Sequence, residues 1–353
     1  MELDEIYNRW QSLQPLGDKQ RYKLSQKFTV DYNYNSNHIE GNTLTYGQTE
    51  LLLLFGKVSG EGDLKDFIDM KASEVSVRMM TEESQLKDSP LTQNFIRTLH
   101  HTLLREDYTV YRTLPGGVQT SYVIHAGQYK TRPNSVITRY GDRFEYASSE
   151  ETPALMTDLV DWYNAEEQKG QLSPVELAAL FHYRYIRIHP FEDGNGRIAR
   201  LMVNYILSRN GWPMIVVRNK RKQEYLEALH KTDIAVGDAP SVGAHASLDE
   251  IQHFLRYFMT LVKNEILGDI DFVESVGKDS WWYDGDRINF RSPNGSKVLQ
   301  TLALHPDISL QGLADIIGIN RSAVQKLIRS MVEKGYITRT AGDNWHVLAI
   351  STR

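Results

Sequence analysis

Residues 188–200 place several kinds of reactive side chain close together, in the order I-H-P-F-E-D-G-N-G-R-I-A-R. The imidazole of His189 can serve as a general base, and the carboxylate of Asp193 is a hard oxygen ligand for a divalent cation. The G-N-G sequence leads into an apolar-periodic segment, so backbone N–H groups at a helix start are expected to point at an anion. Arg197 and Arg200 are three positions apart and share one helix face. Together these groups are suited to moving a nucleotide or phosphate group, although each alone also fits a buried turn with a structural histidine and two surface arginines.

The segment resembles the Fic family signature, H-P-F-x-[D/E]-G-N-G-R-x-x-R, and agrees with it at every specified position. The resemblance implies transfer of AMP from ATP to a hydroxyl group of a protein. It implies that His189 takes the proton of the target hydroxyl, that Phe191 anchors the loop, and that Asp193 holds Mg²⁺ on the phosphates. The residues implied to bind the phosphates of ATP are Gly194, Asn195, Gly196, Arg197 and, at the γ-phosphate, Arg200. Gly196 bears on the transferred group, because the Doc branch, which phosphorylates, has a lysine at this place.

Further upstream the chain reads S-N-H-I-E-G-N. These residues alone predict a short helix that Ser36 caps and that Gly41 and Asn42 end. They also resemble the autoinhibitory motif of the same family, [S/T]-x-x-x-E-[G/N], placed before the core as in the second class of the family. The resemblance implies that Glu40 pairs with Arg200, which keeps the arginine from the γ-phosphate and misaligns the α-phosphate. A misplacement of about 1 Å can slow a reaction by about 10²-fold.

Two amphipathic helices are predicted to hold the signature loop. Ser173, Pro174 and Glu176 supply an N-cap, a proline at the first helical position and a capping-box glutamate. After the loop, apolar residues recur from Ile198 at i, i+3, i+4, i+7 and i+8. Such support suits a site that works by positioning its groups.

Residues 112–147 lose the helical periodicity and are rich in Gly, Thr, Val, Ile and Tyr. One β-prone run contains Val136, Ile137 and Thr138, and a second covers 144–146, so a β-hairpin is predicted. By the resemblance this hairpin is the flap, whose edge holds the target segment by strand addition. The residues alone fit a purely structural hairpin equally well.

Two aromatic positions near the signature have open roles. Tyr225 lies in a basic helical segment, at the place where members of the family have an aromatic residue near adenine. Both stacking on the base and packing in the core fit this residue. His182 precedes His189 by seven positions on the same predicted helix and is interpreted as a packing or hydrogen-bonding residue.

The C-terminal segment predicts a winged helix-turn-helix domain. Ser309 and Asn320 cap its second and third helices, and a β-hairpin follows. Residues 291–353 carry eight Lys/Arg and four Asp/Glu, a net charge of +4. Because the whole chain has a net charge of −5, residues 1–290 carry −9. The candidate DNA contacts on the polar face of the third helix are Arg321, Gln325 and Arg329. Such domains also bind proteins or form homodimers, and +4 is a weak basic signal.

The composition is that of an ordinary globular protein. The 353 residues are 41% hydrophobic and 24% charged, which is enough apolar material for a real core. The chain has no cysteine, so disulfides and cysteine-based zinc sites are excluded. No signal peptide is visible, and the longest apolar run, 51–55, is too short to cross a bilayer. A cytoplasmic protein without a membrane partner is expected.

Taken together, the sequence predicts a mainly α protein in four parts. These are an N-terminal helical region at 1–90 with the inhibitory motif, a Fic core at 91–268 with a β-hairpin flap, a linker at 269–292 and a winged helix-turn-helix domain at 293–353. The expected activity is that of a protein adenylyltransferase that uses ATP and Mg²⁺, modifies Tyr, Thr or Ser of a target protein and of itself, and is restrained by Glu40. Two alternatives stay open: a DNA-binding regulator whose Fic core senses nucleotide, and a Fic enzyme that removes AMP.

Overall fold

A computed structural model describes residues 2–58, 60–113, 117–137, 143–339 and 344–353, and it confirms a mainly helical chain with short β-hairpins. The described helices are α1 (Leu3–Ser12), α2 (Asp18–Ile39), α3 (Tyr46–Phe55), α4 (Leu64–Ser84), α5 (Gln93–Leu104), α6 (Thr152–Lys169), α7 (Pro174–Ile188), α8 (Asn195–Arg209), α9 (Lys222–Val236), α10 (Pro240–Ala244), α11 (Gln252–Ser275), α12 (Pro293–Leu304), α13 (Leu310–Ile317) and α14 (Arg321–Glu333). The described strands are β1 (Tyr108–Thr113), β2 (Gln119–Ile124), β3 (Ser135–Ile137), β4 (Arg143–Glu145), β5 (Trp281–Tyr283), β6 (Asp286–Arg287), β7 (Ile337–Arg339), β8 (Trp345–Val347) and β9 (Ile350–Ser351). Within these ranges, no helix combines the length and apolar character that a bilayer crossing needs.

The chain forms two compact units. The first joins Met1–Lys71 to Asn264–Arg353, and the second is Ala72–Lys263. The segment 269–292, predicted as a linker, contains the last turns of α11 and the strands β5 and β6. The helix continues because Phe272 and Val273 extend its apolar face into a fully buried position.

The second unit is built around α7 and α8. Ser173 Oγ accepts the N–H of Glu176 at 3.2 Å, and Glu176 Oε2 accepts the N–H of Ser173 at 2.8 Å, so the predicted capping box starts α7. Four fully buried aromatic rings fill the space between α6, α7 and α8, and they are Tyr163, Phe181, Tyr185 and Tyr205. The loop between α7 and α8 is therefore carried by two tightly packed helices.

Two antiparallel hairpins lie between α5 and α6. Strands β1 and β2 pair from Tyr108 opposite Ile124, and β3 pairs with β4 with Val136 opposite Phe144. The second hairpin is the predicted one, but its second strand ends at Glu145, and the ring of the next residue, Tyr146, stacks on the imidazole of His189. The predicted turn of this hairpin lies outside the described residues.

The helix that carries the inhibitory motif differs from the prediction. Residues 18–39 form one continuous helix, so Ser36 is not an N-cap but a buried residue in the last turn of α2. Asn33 and Asn37 donate their side-chain amides to the carbonyls four residues earlier, both at 2.8 Å, which binds these groups within the helix. The predicted stop is present, with Gly41 at φ 98°.

Buried polar groups join α2 to the C-terminal part of the first unit. Lys27 Nζ lies 3.0 Å from Asp269 Oδ1 and 3.3 Å from Asp31 Oδ2. The hydroxyl of Tyr46, in α3, donates to Asp31 Oδ1 at 2.6 Å. The ring of Tyr46 packs on that of Tyr283, with 4.5 Å between centroids. Residues at the two ends of the chain thus share one buried polar cluster.

The winged helix-turn-helix prediction is confirmed in the order α12, α13, α14, β7 and β8. The side chain of Ser309 caps α13 and that of Asn320 caps α14. Ile337 stands opposite Val347 in the wing. Strand β9 leaves the wing and pairs with β5, which adds a small three-stranded sheet in the order β6-β5-β9.

Glu50 in α3 generates a prediction about stability. Its side chain is buried, and burial raises its pKa to about 8. Between the usual pKa of a glutamate and about 8, the folded chain binds more protons than the unfolded chain, so the free energy of unfolding falls as pH rises, by about 1.4 kcal/mol per pH unit. Glu50→Gln should remove this slope in urea denaturation at pH 5, 6.5 and 8. The exposed Glu61→Gln is the matched control, and an unchanged slope in Glu50→Gln would contradict the prediction.

Candidate active site

Helix α7 ends at Ile188, and its C-cap, His189, adopts a left-handed backbone conformation with φ 51° and ψ 62°. Its N–H donates to the carbonyl of Tyr185 at 2.9 Å and closes the last turn. A residue other than glycine pays about 1–2 kcal/mol for this conformation, so the surrounding structure must hold it. The turn directs the chain away from the helix axis and leaves the imidazole half-buried.

The imidazole of His189 is kept neutral. Burial, and next the ammonium of Lys130, lower its pKa to about 3, while the carbonyl of Ile186 and the carboxylate of Asp193 act in the opposite direction. The ring stacks on Tyr146 with 3.9 Å between centroids and an angle of 25°. A neutral imidazole at ordinary pH can accept a proton, as a general base must.

Two residues upstream of β3 bind the main chain that follows α7. The side-chain nitrogen of Lys130 donates at 2.8–3.0 Å to Asn134 Oδ1 and to two carbonyls, and its backbone N–H donates to a third carbonyl at 2.8 Å. Asn134 Nδ2 donates to two carbonyls at 3.3 and 3.0 Å. The carbonyls bound in this way are those of Ile188, His189, Pro190 and Phe191. Lys130 is only 3% exposed, so its hydrogen bonds to the loop are buried in the protein.

Phe191 anchors the loop, as the resemblance implies. Its ring is fully buried and stacks on His100 with 3.7 Å between centroids and an angle of 6°. His100 Nδ1 accepts the N–H of Gly127 at 2.8 Å, so its Nε2 carries the proton and donates to the carbonyl of Asp193 at 3.0 Å. Burial lowers the pKa of His100 to about 4, which keeps the ring neutral.

Asp193 is held as a carboxylate. Burial alone would raise its pKa, but Arg197, the hydroxyl of Tyr108 and the N–H of Gly194 outweigh burial and lower the pKa. Tyr108 donates to Oδ2 at 2.6 Å and Gly194 to Oδ1 at 2.7 Å, while Arg197 Nη2 lies 3.6 Å from Oδ2. An ionised, partly exposed carboxylate fits Mg²⁺, which proteins usually hold by one or two carboxylates together with substrate phosphates.

The start of α8 has the form of an anion site. Gly194 is the N-cap in a left-handed conformation with φ 75°, and the first-turn N–H groups that follow have no acceptor within the helix. The side chain of Asn195 is used differently from the implied phosphate contact, because it bonds the N–H and C=O of Phe191 at 2.9 and 2.7 Å. Its contribution to an anion is therefore its backbone N–H.

Two arginines lie on the first turns of α8. Arg197 and Arg200 are 7% and 2% exposed. The buried Nε of Arg197 has no hydrogen-bond partner within the described ranges. A buried guanidinium favours a nearby anion, so the start of α8 is suited to an anionic ligand beside the carboxylate of Asp193.

Tyr225 takes the packing role that its sequence context left open. It is 3% exposed, and its hydroxyl lies 2.9 Å from Nε2 of the buried His182. Its ring packs near those of Phe254 and Tyr257. The ring presents almost no exposed surface, and the contact with adenine stays a prediction.

The structure thus brings together His189, Asp193, and the residues from Gly194 to Arg200 on one loop and helix start. Ser36 and Glu40 belong to the other unit, where Glu40 is the C-cap of α2. Val136 and Ile137 are in β3, as expected for the predicted flap, and Thr138 lies outside the described residues. The inhibitory and target-binding roles of these residues stay predictions.

Several supporting residues were not found from sequence, and they are His100, Tyr108, Lys130, Asn134 and Tyr146. A signal existed for His100, which follows Ile96 and precedes Leu103 at i, i+4 and i+7 on the buried face of α5. The others lie in irregular segments or at strand ends, where no periodicity marks a buried position.

Comparison with known proteins extends the similarity to the Fic family beyond the signature at residues 188–200. The sequence profile of the Fic/DOC family matches residues 90–207, and that of the MarR family matches residues 296–344. A solved Fic domain containing signaling protein from Bacteroides thetaiotaomicron is 51% identical, with a TM-score of 0.72, and the match covers 78% of this chain and 97% of that chain.

Two further relatives extend the comparison. Protein adenylyltransferase fic-1 of Caenorhabditis elegans is 29% identical over 227 residues, which are 64% of this chain and 38% of the relative. This chain therefore spans well under half of that curated relative. A Fic family protein from Desulfovibrio desulfuricans G20 is similar in fold, with a TM-score of 0.57 at 19% identity, over 98% of this chain and 93% of that chain.

The stacked pair of His100 and Phe191 generates a prediction about stability. His100→Ala removes a buried ring and leaves the carbonyl of Asp193 and the N–H of Gly127 unpaired. The expected loss in free energy of unfolding is about 2–4 kcal/mol, measured by urea denaturation. The matched control is His101→Ala, one position further along α5 on its exposed face. Equal effects of the two substitutions would contradict the assigned role of His100.

Proposed function

Because this chain belongs to the Fic/DOC family, we propose that it is a protein adenylyltransferase, which transfers AMP from ATP to a hydroxyl group of a protein. The observation that carries the proposal is the neutral imidazole of His189, four residues before an ionised carboxylate and an anion-binding helix start. A base, a metal ligand and a phosphate site on one short loop are the parts that such a transfer uses.

In the proposed reaction the target hydroxyl loses its proton to His189. The hydroxyl oxygen attacks the α-phosphorus of ATP, the bond from that phosphorus to the bridging oxygen of the β-phosphate breaks, and pyrophosphate leaves. His189 ends protonated and returns the proton to solvent. Its low pKa keeps the imidazole in the accepting form before each cycle.

The start of α8 is proposed to hold the phosphates. The first-turn N–H groups from Asn195 to Arg197 and the macrodipole of α8 favour an anion, and the buried Arg197 and Arg200 add two positive charges. Asp193 would hold Mg²⁺, which when bound neutralises charge on the phosphate oxygens. Gly196, where the Doc branch has a lysine, supports AMP and not phosphate as the transferred group.

The hairpin of β3 and β4 is proposed to be the flap that holds the target. A target segment added to the edge of β3 would be positioned by main-chain hydrogen bonds, so the side chains around the acceptor could vary. Asn134 directly precedes β3 and binds the carbonyl of His189. The edge that would hold the target is thus attached to the loop that carries the base.

Glu40 is proposed to restrain transfer, in the way that its motif implies. The residue stands directly after the last turn of α2, and Gly41, at φ 98°, ends the helix there. A glutamate that engages Arg200 would deny the arginine to the γ-phosphate. The restraint therefore acts on the alignment of ATP and not on the base.

The proposal is tested with ATP labelled on the α- or the γ-phosphate. Wild type, Glu40→Gly and His189→Ala are each incubated with Mg²⁺ and a cell lysate, and label on protein is measured. We expect transfer of the α-label only, stronger in Glu40→Gly by about 10²-fold, and no transfer by His189→Ala, which should still bind ATP. Transfer of the γ-label, or transfer by His189→Ala, would contradict the proposed reaction.

Absence of transfer by every variant would favour the two alternatives. Release of AMP from a pre-modified lysate would indicate a Fic enzyme that removes AMP. ATP binding without turnover in either direction would indicate a nucleotide sensor. Equal transfer by wild type and Glu40→Gly would contradict the restraint alone and leave the transferase proposal in place.

The C-terminal domain is proposed to bind double-stranded DNA. The match of the MarR profile to residues 296–344 favours this role over a purely structural one. In the described structure Arg321, Gln325 and Arg329 are exposed on α14, the third helix of the domain, and a helix in this position enters the major groove in helix-turn-helix proteins.

Arg329→Ala should weaken binding of a random-sequence DNA duplex. If the guanidinium contacts a phosphate, the slope of log K against log salt should fall by about 1. The measurement is fluorescence anisotropy of a labelled duplex at several salt concentrations, with the exposed Lys169→Ala of the other unit as control. Absence of duplex binding by wild type at low salt would exclude the proposed role and favour a protein-binding or homodimer-forming domain.

A further inference from the structure

The main-chain carbonyls at the end of α7 and in the loop that follows need hydrogen-bond donors from other segments. The last carbonyls of a helix have no partner within the helix. At the end of α7 these are followed by the carbonyls of a loop whose first residue, His189, has a left-handed conformation. Unless these carbonyls are bound, the loop has no fixed direction, and neither has the imidazole.

Lys130 and Asn134 bind all four successive carbonyls from residue 188 to residue 191. The Lys130 ammonium has three N–H donors, and its three acceptors, which are Asn134 Oδ1 and the carbonyls of Ile188 and His189, lie at 2.8–3.0 Å. The number of donors therefore equals the number of acceptors. The positive charge also lies at the negative end of the α7 dipole, where it is favourable.

The same ammonium acts on the imidazole through its charge. Among the described residues, the charged groups that influence His189 are Lys130, which disfavours its protonated form, and Asp193, which favours it. Burial lowers the pKa of Lys130 to about 7, and the carboxylate of Glu151 acts in the opposite direction. A proton on Lys130 thus helps to keep His189 unprotonated.

The contacts of Lys130 and Asn134 also connect the base to the proposed flap. Asn134 is the residue before β3, and Tyr146 is the residue after β4. Asn134 binds the carbonyls of His189 and Phe191, and the Tyr146 ring stacks on the imidazole. Both strands of the hairpin are therefore fixed to the catalytic loop at their base.

We propose that Lys130 is a positioning residue for transfer: with Asn134 it fixes the main chain of His189 and sets the distance between the base and the target segment on the flap. The expected effect on the rate of transfer rests on the proposed function, whereas the placement of the His189 main chain does not. Lys130 does not contact substrate and acts through His189.

The test compares Lys130→Met with wild type, each as the full chain and in the Glu40→Gly background. We expect α-label transfer to fall by about 10²-fold at saturating ATP, as for a misplacement of about 1 Å. The dissociation constant of ATP should stay as in wild type, because α8 forms the phosphate site. Lys169→Met, on the exposed face of α6, controls for loss of a lysine and should transfer at the wild-type rate.

A second readout does not depend on activity. Histidine labelled with ¹³C at Cε1 gives a resonance for His189 that His189→Ala identifies by its loss. In Lys130→Met we expect this resonance to move and its titration midpoint to rise, because a positive neighbour is removed. Asn134→Ala should move the resonance in the same experiment, and the double variant should lose no more transfer than the more damaged single variant, since the two side chains act as a unit.

Unchanged transfer and an unchanged His189 resonance in Lys130→Met would overturn the proposal. So would an equal loss of transfer and ATP affinity with an unchanged resonance, which would make Lys130 merely structural. If Lys130→Met does not fold, Asn134→Ala tests the shared contacts, because it removes one acceptor of the ammonium and two bonds to the loop, and unchanged transfer with an unchanged resonance would overturn the proposal. If no variant transfers label, the proposed function fails, and the His189 resonance still decides the role of Lys130.

Discussion

The structure of the site depends on how the main chain leaves α7. His189 must take a left-handed conformation there, and the carbonyls on either side of it must find donors. Lys130 and Asn134 supply those donors from one side, and the stacked Phe191 and His100 fix the next turn of the loop from another. With the loop held in this way, α8 begins at a fixed place, and its first N–H groups lie on the same loop as the base.

The charges of the site follow from the same arrangement. Lys130 stands on the flap side of His189, and Arg197 stands on the α8 side of Asp193. Burial and the ammonium of Lys130 lower the pKa of His189 and keep its imidazole neutral, whereas Arg197, Tyr108 and Gly194 outweigh burial and keep Asp193 ionised. A neutral imidazole, an ionised carboxylate and two guanidinium groups are three different charge states within the loop and the start of α8.

Local chemistry made much of this structure predictable. The capping residues of α3, α7 and α14 lie where turn and cap preferences place them, and the signature identified His189 and Asp193 directly. The role of Lys130 could not be predicted, because its partners are backbone carbonyls nearly 60 positions away. A buried lysine in an irregular segment also has no sequence pattern. Ser36 was misread because a serine is a common N-cap, whereas the helix that contains it had already begun at Asp18.

The buried pair of Lys27 and Asp269 is separated by 242 positions, with the whole second unit between them in the chain. A ribosome adds about 5–20 residues per second, so the roughly 190 residues from Ala72 to Lys263 take on the order of 10–40 s to appear. The loop around His189 is complete once Arg200 has been added, and Lys27 on α2 still lacks its distant carboxylate for the roughly 70 residues, or about 4–14 s, that follow. Synthesis thus completes the proposed catalytic loop before the anchorage of the Glu40 helix, which gives each new chain a brief window before its proposed restraint is secured.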